Sequence, residues 1–237
     1  MSAAEQASAT SSSSKSTPGA ERRTTRARVS RRTIATPRGP ARAHLWTPPE
    51  PAGALVLGHG AGGSSWSADL LALAGLADRA DGVRWQVVLV EQPWRVAGRK
   101  VAAPPPHLDD SWVAVLAALR AGRRPIAKLL VVGGRSAGAR VACRTAAAVG
   151  AQAVLALSFP LHPPGAPEKS RASELAGALA LPTLVVQGRR DPFGGPAEVA
   201  AAVPGAVVEP AAGAHSFAAP ERDVVPLVSS WLDGLSA

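Results

Sequence analysis

The chain has a single cysteine, Cys143, so no disulfide can form within it and nothing points to an oxidising compartment. Cys143 falls in a stretch read below as a helix, where core packing is its expected role. No apolar run reaches the ~18–20 residues that a membrane span requires. Neither arginine pair near the N-terminus, Arg22-Arg23 or Arg31-Arg32, is followed by a hydrophobic segment, so neither reads as a twin-arginine export signal. There is no internal repeat. These absences lead to the expectation of a cytoplasmic protein with no membrane association.

What is present suits one domain with a sizeable core: 237 residues, 46% of them hydrophobic. The net charge of +9 resembles a nucleic-acid signal until it is located. Residues 1–42 hold nine of the 26 basic and two of the 17 acidic residues, and the rest of the chain is close to neutral. The basicity therefore reads as a property of the N-terminal segment. Residues 1–28, rich in Ser, Thr and Arg, lack the apolar surface to offset ordering entropy and are expected to form a disordered tail. Its arginines imply at most weak contact with nucleic acid. Residues 29–237 are expected to form a single domain.

Along that domain, Thr33–Thr36 and Ala41–Thr47 flank Pro37-Arg38-Gly39-Pro40 and read as an opening hairpin. Ala54–Leu57 reads as a buried strand running into Gly58-His59-Gly60-Ala61-Gly62-Gly63. A helix follows from about Trp66 to Arg79, with leucines 70, 71, 73 and 76 on its apolar face. Further strands are expected at Trp85–Val90, Lys128–Val132, Ala153–Leu157, Leu181–Val186 and Ala206–Glu209. Helices are expected at Leu108–Ala121, with Asp109, Asp110 and Ser111 capping its start, at Ala137–Val149, around Ser170–Leu179, near Pro196–Ala202 and at Val224–Leu235. Strands alternating with helices imply an α/β fold: a mostly parallel central sheet covered by helices on both faces and entered through an antiparallel hairpin.

Gly134-Arg135-Ser136-Ala137-Gly138 lies between an expected strand and an expected helix. About 0.2 G-x-S-x-G strings arise by chance in a chain of this composition, so the string matters only through its placement. Strand, G-x-S-x-G and helix together describe a nucleophile elbow, which lifts the serine hydroxyl above the sheet edge. It also leaves the Ala137 N–H at a helix start, aimed at a developing oxyanion. A nucleophilic serine needs a base, and the base needs a carboxylate to fix its tautomer. Asp191 and His215 each follow an expected strand, so in a parallel sheet their loops open on the same edge as the elbow.

The chain order Ser136, Asp191, His215, with GRSAG, RRDPFG, AHSF and HGAGG, resembles the α/β-hydrolase superfamily. More narrowly, EQPWRVAG, GGRSAGAR, LSFPLHPPG and QGRRDPFG are similar to a compact group related to dienelactone hydrolases and to the hydrolase-like domain of a chromatin-complex subunit. The resemblance covers about Thr33 to Leu235 and implies the α/β-hydrolase fold with a minimal cap. It also implies Ser136 as nucleophile, His215 as base, Asp191 as its carboxylate, and a second oxyanion donor at the Ala61 N–H. Dienelactone hydrolases use a cysteine nucleophile where this chain has Ser136, so their substrate does not carry over. His59, Trp94, Arg95, Arg135, His162 and Phe193 are candidate pocket-lining residues. His59 also reads as structural, shaping the oxyanion turn, and His162, among the prolines of the small insertion, is open to a structural role as well as a lining one. Arg135, Arg95 and Arg190 lie in or beside site loops and are open to attracting an anionic acyl substrate, with exposure or structural pairing the expected state. His44 and His107 have no supporting context. No metal or organic cofactor is implied, and the expected partner is a small acyl substrate.

Two other classes remain open at this level. Gly58-x-Gly60-x-x-Gly63, with Glu91 ending the next strand, also fits a dinucleotide fingerprint, although Glu91 falls 28 residues after Gly63 rather than about 20. A hydrolase fold can also serve as a non-catalytic interaction scaffold. The reading that accounts for GRSAG, Asp191 and His215 together is a serine hydrolase acting on an ester, thioester or related acyl bond.

Overall fold

The strands β1 (Arg28–Thr36) and β2 (Gly39–Thr47) pair antiparallel around the Pro37-Arg38 turn. β2 then pairs antiparallel with β4 (Gln86–Glu91). From there every neighbour is parallel: β3 (Ala54–Gly58), β5 (Leu130–Arg135), β6 (Ala153–Leu157), β7 (Thr183–Gly188) and β8 (Val207–Ala211) complete an eight-stranded sheet in the order β1-β2-β4-β3-β5-β6-β7-β8. The computed structural model describes residues 26–62 and 64–236.

β3, β6 and β7 are buried along their whole length, because helices cover both faces of the parallel part. That is why these strands are near-continuous apolar runs rather than alternating ones. One face packs on α3 (Pro105–Ala121), α4 (Ala137–Thr145), α5 (Ala172–Ala176) and α6 (Pro196–Ala202), with Trp112, Leu116, Val141 and Phe159 in its core. The other packs on α1 (Ala68–Ala74) and α8 (Val225–Leu235), where Leu73, Trp85, Val228 and Leu232 are fully buried. Two one-turn helices, α2 (Pro93–Val96) and α7 (Pro220–Asp223), complete the helical elements. The expected fold class is therefore the observed one.

Several boundaries differ for physical reasons. β1 starts at Arg28, five residues before the expected Thr33, because an edge strand is half solvated and tolerates arginines that hide it from an apolar pattern. Most of the expected tail lies outside the described residues. Its last residues, however, join the fold: Ala27 is buried and its N–H donates to Asp78. The N-terminal basicity accordingly belongs partly to the hairpin, with Arg28, Arg31 and Arg32 in β1 and Arg42 in β2.

Asp109, Asp110 and Ser111 do not cap α3. The helix starts at Pro105, since proline is tolerated in a first turn that needs no intrahelical N–H donor. The three residues fall one turn further in. Asp109 accepts from Arg144 (2.6 Å), Asp110 from Arg38 (2.6 Å), and the Ser111 hydroxyl donates to the His107 carbonyl (2.9 Å). The helix expected over 66–79 is shorter, α1 giving way at Gly75 to a 3₁₀ turn through Ala77.

Candidate active site

β5 ends at Arg135 and α4 begins at Ala137, leaving Ser136 alone in the turn with φ +53° and ψ −111°. A non-glycine residue in this region costs on the order of 1–3 kcal/mol and persists only where its surroundings impose it. Here the surroundings are glycines. Gly58 of β3 and Gly134 of β5 are register partners, and a Cβ on Gly134 would come within 2.5 Å of the Gly58 carbonyl oxygen. A Cβ on Gly138 would collide with the same oxygen. The start of α4 thus sits directly on the end of β3, and the Ser136 N–H donates to the Leu157 carbonyl of β6 (2.9 Å).

The loops after β7 and β8 meet this serine. The His215 Nε2 lies 2.9 Å from Ser136 Oγ, and its Nδ1 lies 2.9 Å and 3.1 Å from the two Asp191 carboxylate oxygens. The Asp191 side chain is completely buried. Its oxygens also accept from the Phe193 N–H (2.9 Å) and from Gln187 Nε2 (3.1 Å). A buried carboxylate facing Nδ1 keeps the proton there, which leaves Nε2 able to accept the serine proton. Phe193 packs against the imidazole at a ring-centroid distance of 4.3 Å.

Arg135 does not reach toward bulk solvent. Its Nη2 donates to the His215 carbonyl (2.6 Å) and to Ser216 Oγ (2.8 Å), while its Nε stands 3.3 Å from the buried Asp69 carboxylate. It therefore ties the histidine loop to the elbow.

The glycine loop after β3 closes the other side. His59 is buried: its Nδ1–H donates to the Gly60 carbonyl (2.8 Å) and its Nε2 accepts from the Gln92 N–H (3.1 Å). Burial holds its pKa below the usual histidine value, consistent with a neutral ring whose two nitrogens are both engaged. Arg95 stacks on Trp94 at 4.3 Å and donates to the Ala61 carbonyl (3.3 Å). Neither the Ala61 N–H nor the Ala137 N–H has a protein acceptor among the described residues. Both residues line, with Ser136 and His215, an open cleft of about 490 Å³.

Of the expected lining residues, Arg135 and Phe193 border this cleft, and His59, Trp94, Arg95 and His162 do not. His59 and Trp94 line a small apolar cavity beneath the elbow. Arg95 braces the glycine loop after β3 through its bond to the Ala61 carbonyl. His162 is turned away: its Nε2 pairs with Glu198 (2.6 Å) and its Nδ1 with the Pro163 carbonyl (2.8 Å). Arg190 is exposed. Four further residues, to which the sequence assigns no role, shape the site. Arg140 and Arg171 line the cleft, and Gln187 and Asp69 hold its two sides. Gln187 carries one legible signal, a lone polar residue at the end of an apolar strand.

The dinucleotide fingerprint is not realised. α1 begins at Ala68, five residues beyond Gly63, so the glycine loop does not open directly into a helix. Glu91 accepts from Ser65 (2.9 Å) and Arg42 (3.1 Å). Among the described residues, no group of three or more His, Cys, Asp or Glu side chains is placed to hold a metal ion, and no helix is long and apolar enough to cross a membrane.

A mostly parallel sheet entered through an antiparallel hairpin, with a strained serine between β5 and α4, defines the α/β-hydrolase class. The chain belongs to that family: the family model described as "Alpha/beta hydrolase domain" matches residues 51–230. Solved structures agree on the fold. A serine hydrolase "without lid" from Xanthomonas campestris is 23% identical, with 87% of this chain and 93% of that one covered and a TM-score of 0.61. A dienelactone hydrolase from Anabaena variabilis is 19% identical, with 88% and 98% covered and a TM-score of 0.67. An esterase from Pyrobaculum calidifontis is 17% identical, with 88% and 85% covered and a TM-score of 0.62. No curated protein matches the chain.

Proposed function

We propose that the chain is a serine hydrolase that cleaves an ester, thioester or related acyl bond. The observation that carries this reading is the continuous hydrogen-bonded line from Ser136 Oγ through His215 to the buried Asp191. As Ser136 Oγ bonds to the acyl carbon, its proton passes to His215 Nε2, and Asp191 stabilises the imidazolium that forms. The carbonyl oxygen becomes an oxyanion facing the Ala61 and Ala137 N–H groups. Collapse breaks the bond to the leaving group, which departs with the proton from Nε2. Water then attacks the acyl-enzyme, giving up a proton to His215. The second collapse releases the acid and returns that proton to Ser136.

The segment between β6 and β7 borders the cleft at Pro160 and Arg171 and, among the described residues, leaves it open. That favours small acyl substrates over ones needing a deep pocket. The test is hydrolysis of short p-nitrophenyl esters by wild type and by Ser136→Ala. Turnover that disappears with the hydroxyl supports the reading, and turnover that survives Ser136→Ala, or is absent from the wild type, overturns it.

A further inference from the structure

The cleft beside Ser136 is lined by three arginines, Arg135, Arg140 and Arg171, and, among the described residues, by no Asp or Glu. Two of the three are balanced. Arg135 has Asp69. Arg140 donates through Nε (2.8 Å) and Nη2 (2.6 Å) to Glu174, which is shared with Arg144, and Arg144 in turn holds Asp109. That second network contains two cations and two anions. Arg171 is left over. Its only side-chain hydrogen bond among the described residues runs from Nη1 to the Pro160 carbonyl (3.0 Å), and it has no carboxylate within ion-pair distance. Partial burial, followed by the positive charge of Arg140, lowers its pKa despite the opposing Glu174. Arg140 meanwhile keeps Nη1 without a protein acceptor among the described residues.

A half-buried cation without a counter-ion is unfavourable in a site meant for neutral ligands. Beside an anion it becomes an asset, because guanidinium matches an oxyanion with paired, charge-assisted hydrogen bonds. The Pro160 carbonyl holds one edge of Arg171, leaving Nε and Nη2 for such a ligand.

Resting on the hydrolase reading, we infer that Arg171, with the open edge of Arg140, forms a subsite for an oxyanion carried by the substrate, so that the cleft selects acyl esters bearing a negative charge. The anion can sit on the acyl side or on the leaving group, and matched esters distinguish the two. On the acyl side, mono-p-nitrophenyl glutarate is compared with p-nitrophenyl pentanoate. On the leaving side, 4-carboxyphenyl acetate is compared with 4-carbamoylphenyl acetate. The readout is the ratio of kcat/KM, charged over neutral, within each pair.

Arg171→Gln is expected to lower that ratio about 10- to 100-fold in one pair, chiefly through KM. Arg171→Lys should retain a larger part of it. Raising salt to about 0.5 M should lower the wild-type ratio more than that of Arg171→Gln. Ratios that Arg171→Gln leaves unchanged in both pairs, in a protein whose Ser136 still labels with a fluorophosphonate, overturn the subsite alone. A protein that neither labels nor hydrolyses any of the four esters overturns the hydrolase reading and the subsite with it.

Discussion

Two histidines stand at the carboxyl edge of the same sheet, each within hydrogen-bond distance of a carboxylate, and their second nitrogens separate them. His215 has Asp191 at 2.9 Å on Nδ1 and the Ser136 hydroxyl at 2.9 Å on Nε2. A hydroxyl can donate as readily as it accepts, so the ring can sit neutral with Nε2 ready to take a proton. His162 has Glu198 at 2.6 Å on Nε2 and the Pro163 carbonyl at 2.8 Å on Nδ1. Both are acceptors, so both nitrogens are satisfied only when both carry protons. The hydrogen bond to Pro163, helped by Glu198, accordingly raises the pKa of His162. A ring held as the cation has no lone pair for a serine. Pairing with a carboxylate is therefore common to a base and to a structural ion pair, and the partner of the far nitrogen distinguishes them.

The largest effects should come from breaking the His215 side. His215→Ala is expected to lower kcat/KM on short esters by about 10⁴- to 10⁶-fold, whereas His162→Gln should stay within about threefold. Comparable losses in both would erase the distinction. Next in size, Asp191→Asn should cost about 10⁴-fold while the protein keeps its circular dichroism spectrum, because an amide favours the wrong tautomer. Glu198→Gln, half exposed and outside the cleft, should leave the esterase rate close to that of wild type.

Those contrasts also locate what was legible in the sequence. The alternation of strands and helices, the elbow, and the order Ser136, Asp191, His215 could all be read, because each follows from a local pattern or from the rule that loops gather at one edge of a parallel sheet. For His162, set among prolines in a small insertion, the sequence leaves a lining and a structural role open. Loop membership does not reveal which way a ring turns, and Glu198, its partner, lies 36 positions away in sequence. Arg140 and Arg171 were invisible for a related reason. Arginines on a helix and in a turn look solvated until the sheet gathers Glu174, Arg144 and Asp109 into one network with Arg140 and leaves Arg171, among the described residues, with the Pro160 carbonyl but no carboxylate in ion-pair range. The first residues of β1 are not legible as strand because its exposed edge carries charge instead of the apolar alternation that marks a half-buried strand.

A smaller effect sharpens the comparison through pH. The folded pKa of His162 lies above its unfolded value, so its contribution to stability is complete below the unfolded pKa of about 6.5 and is lost as pH rises through the folded value. His59 is the opposite case, with a folded pKa lowered by burial. Its contribution is present above the unfolded pKa and is lost as pH falls toward the folded one. Urea midpoints measured from pH 5 to 8 should show the wild type losing its advantage over His162→Gln as pH rises. The advantage over a His59→Gln variant should instead shrink as pH falls. Parallel slopes for the two variants would contradict the assigned protonation states.

On the proposed function, Ser136 is made nucleophilic by His215 and by no other histidine. Reaction with a fluorophosphonate tests this directly, because the probe needs an activated serine but no knowledge of the substrate. Tryptic mapping by mass spectrometry should find one adduct, on Ser136. The labelling rate should collapse in His215→Ala and persist in His162→Gln. An unlabelled wild type, an adduct on a different serine, or a labelling rate indifferent to His215→Ala would contradict the account.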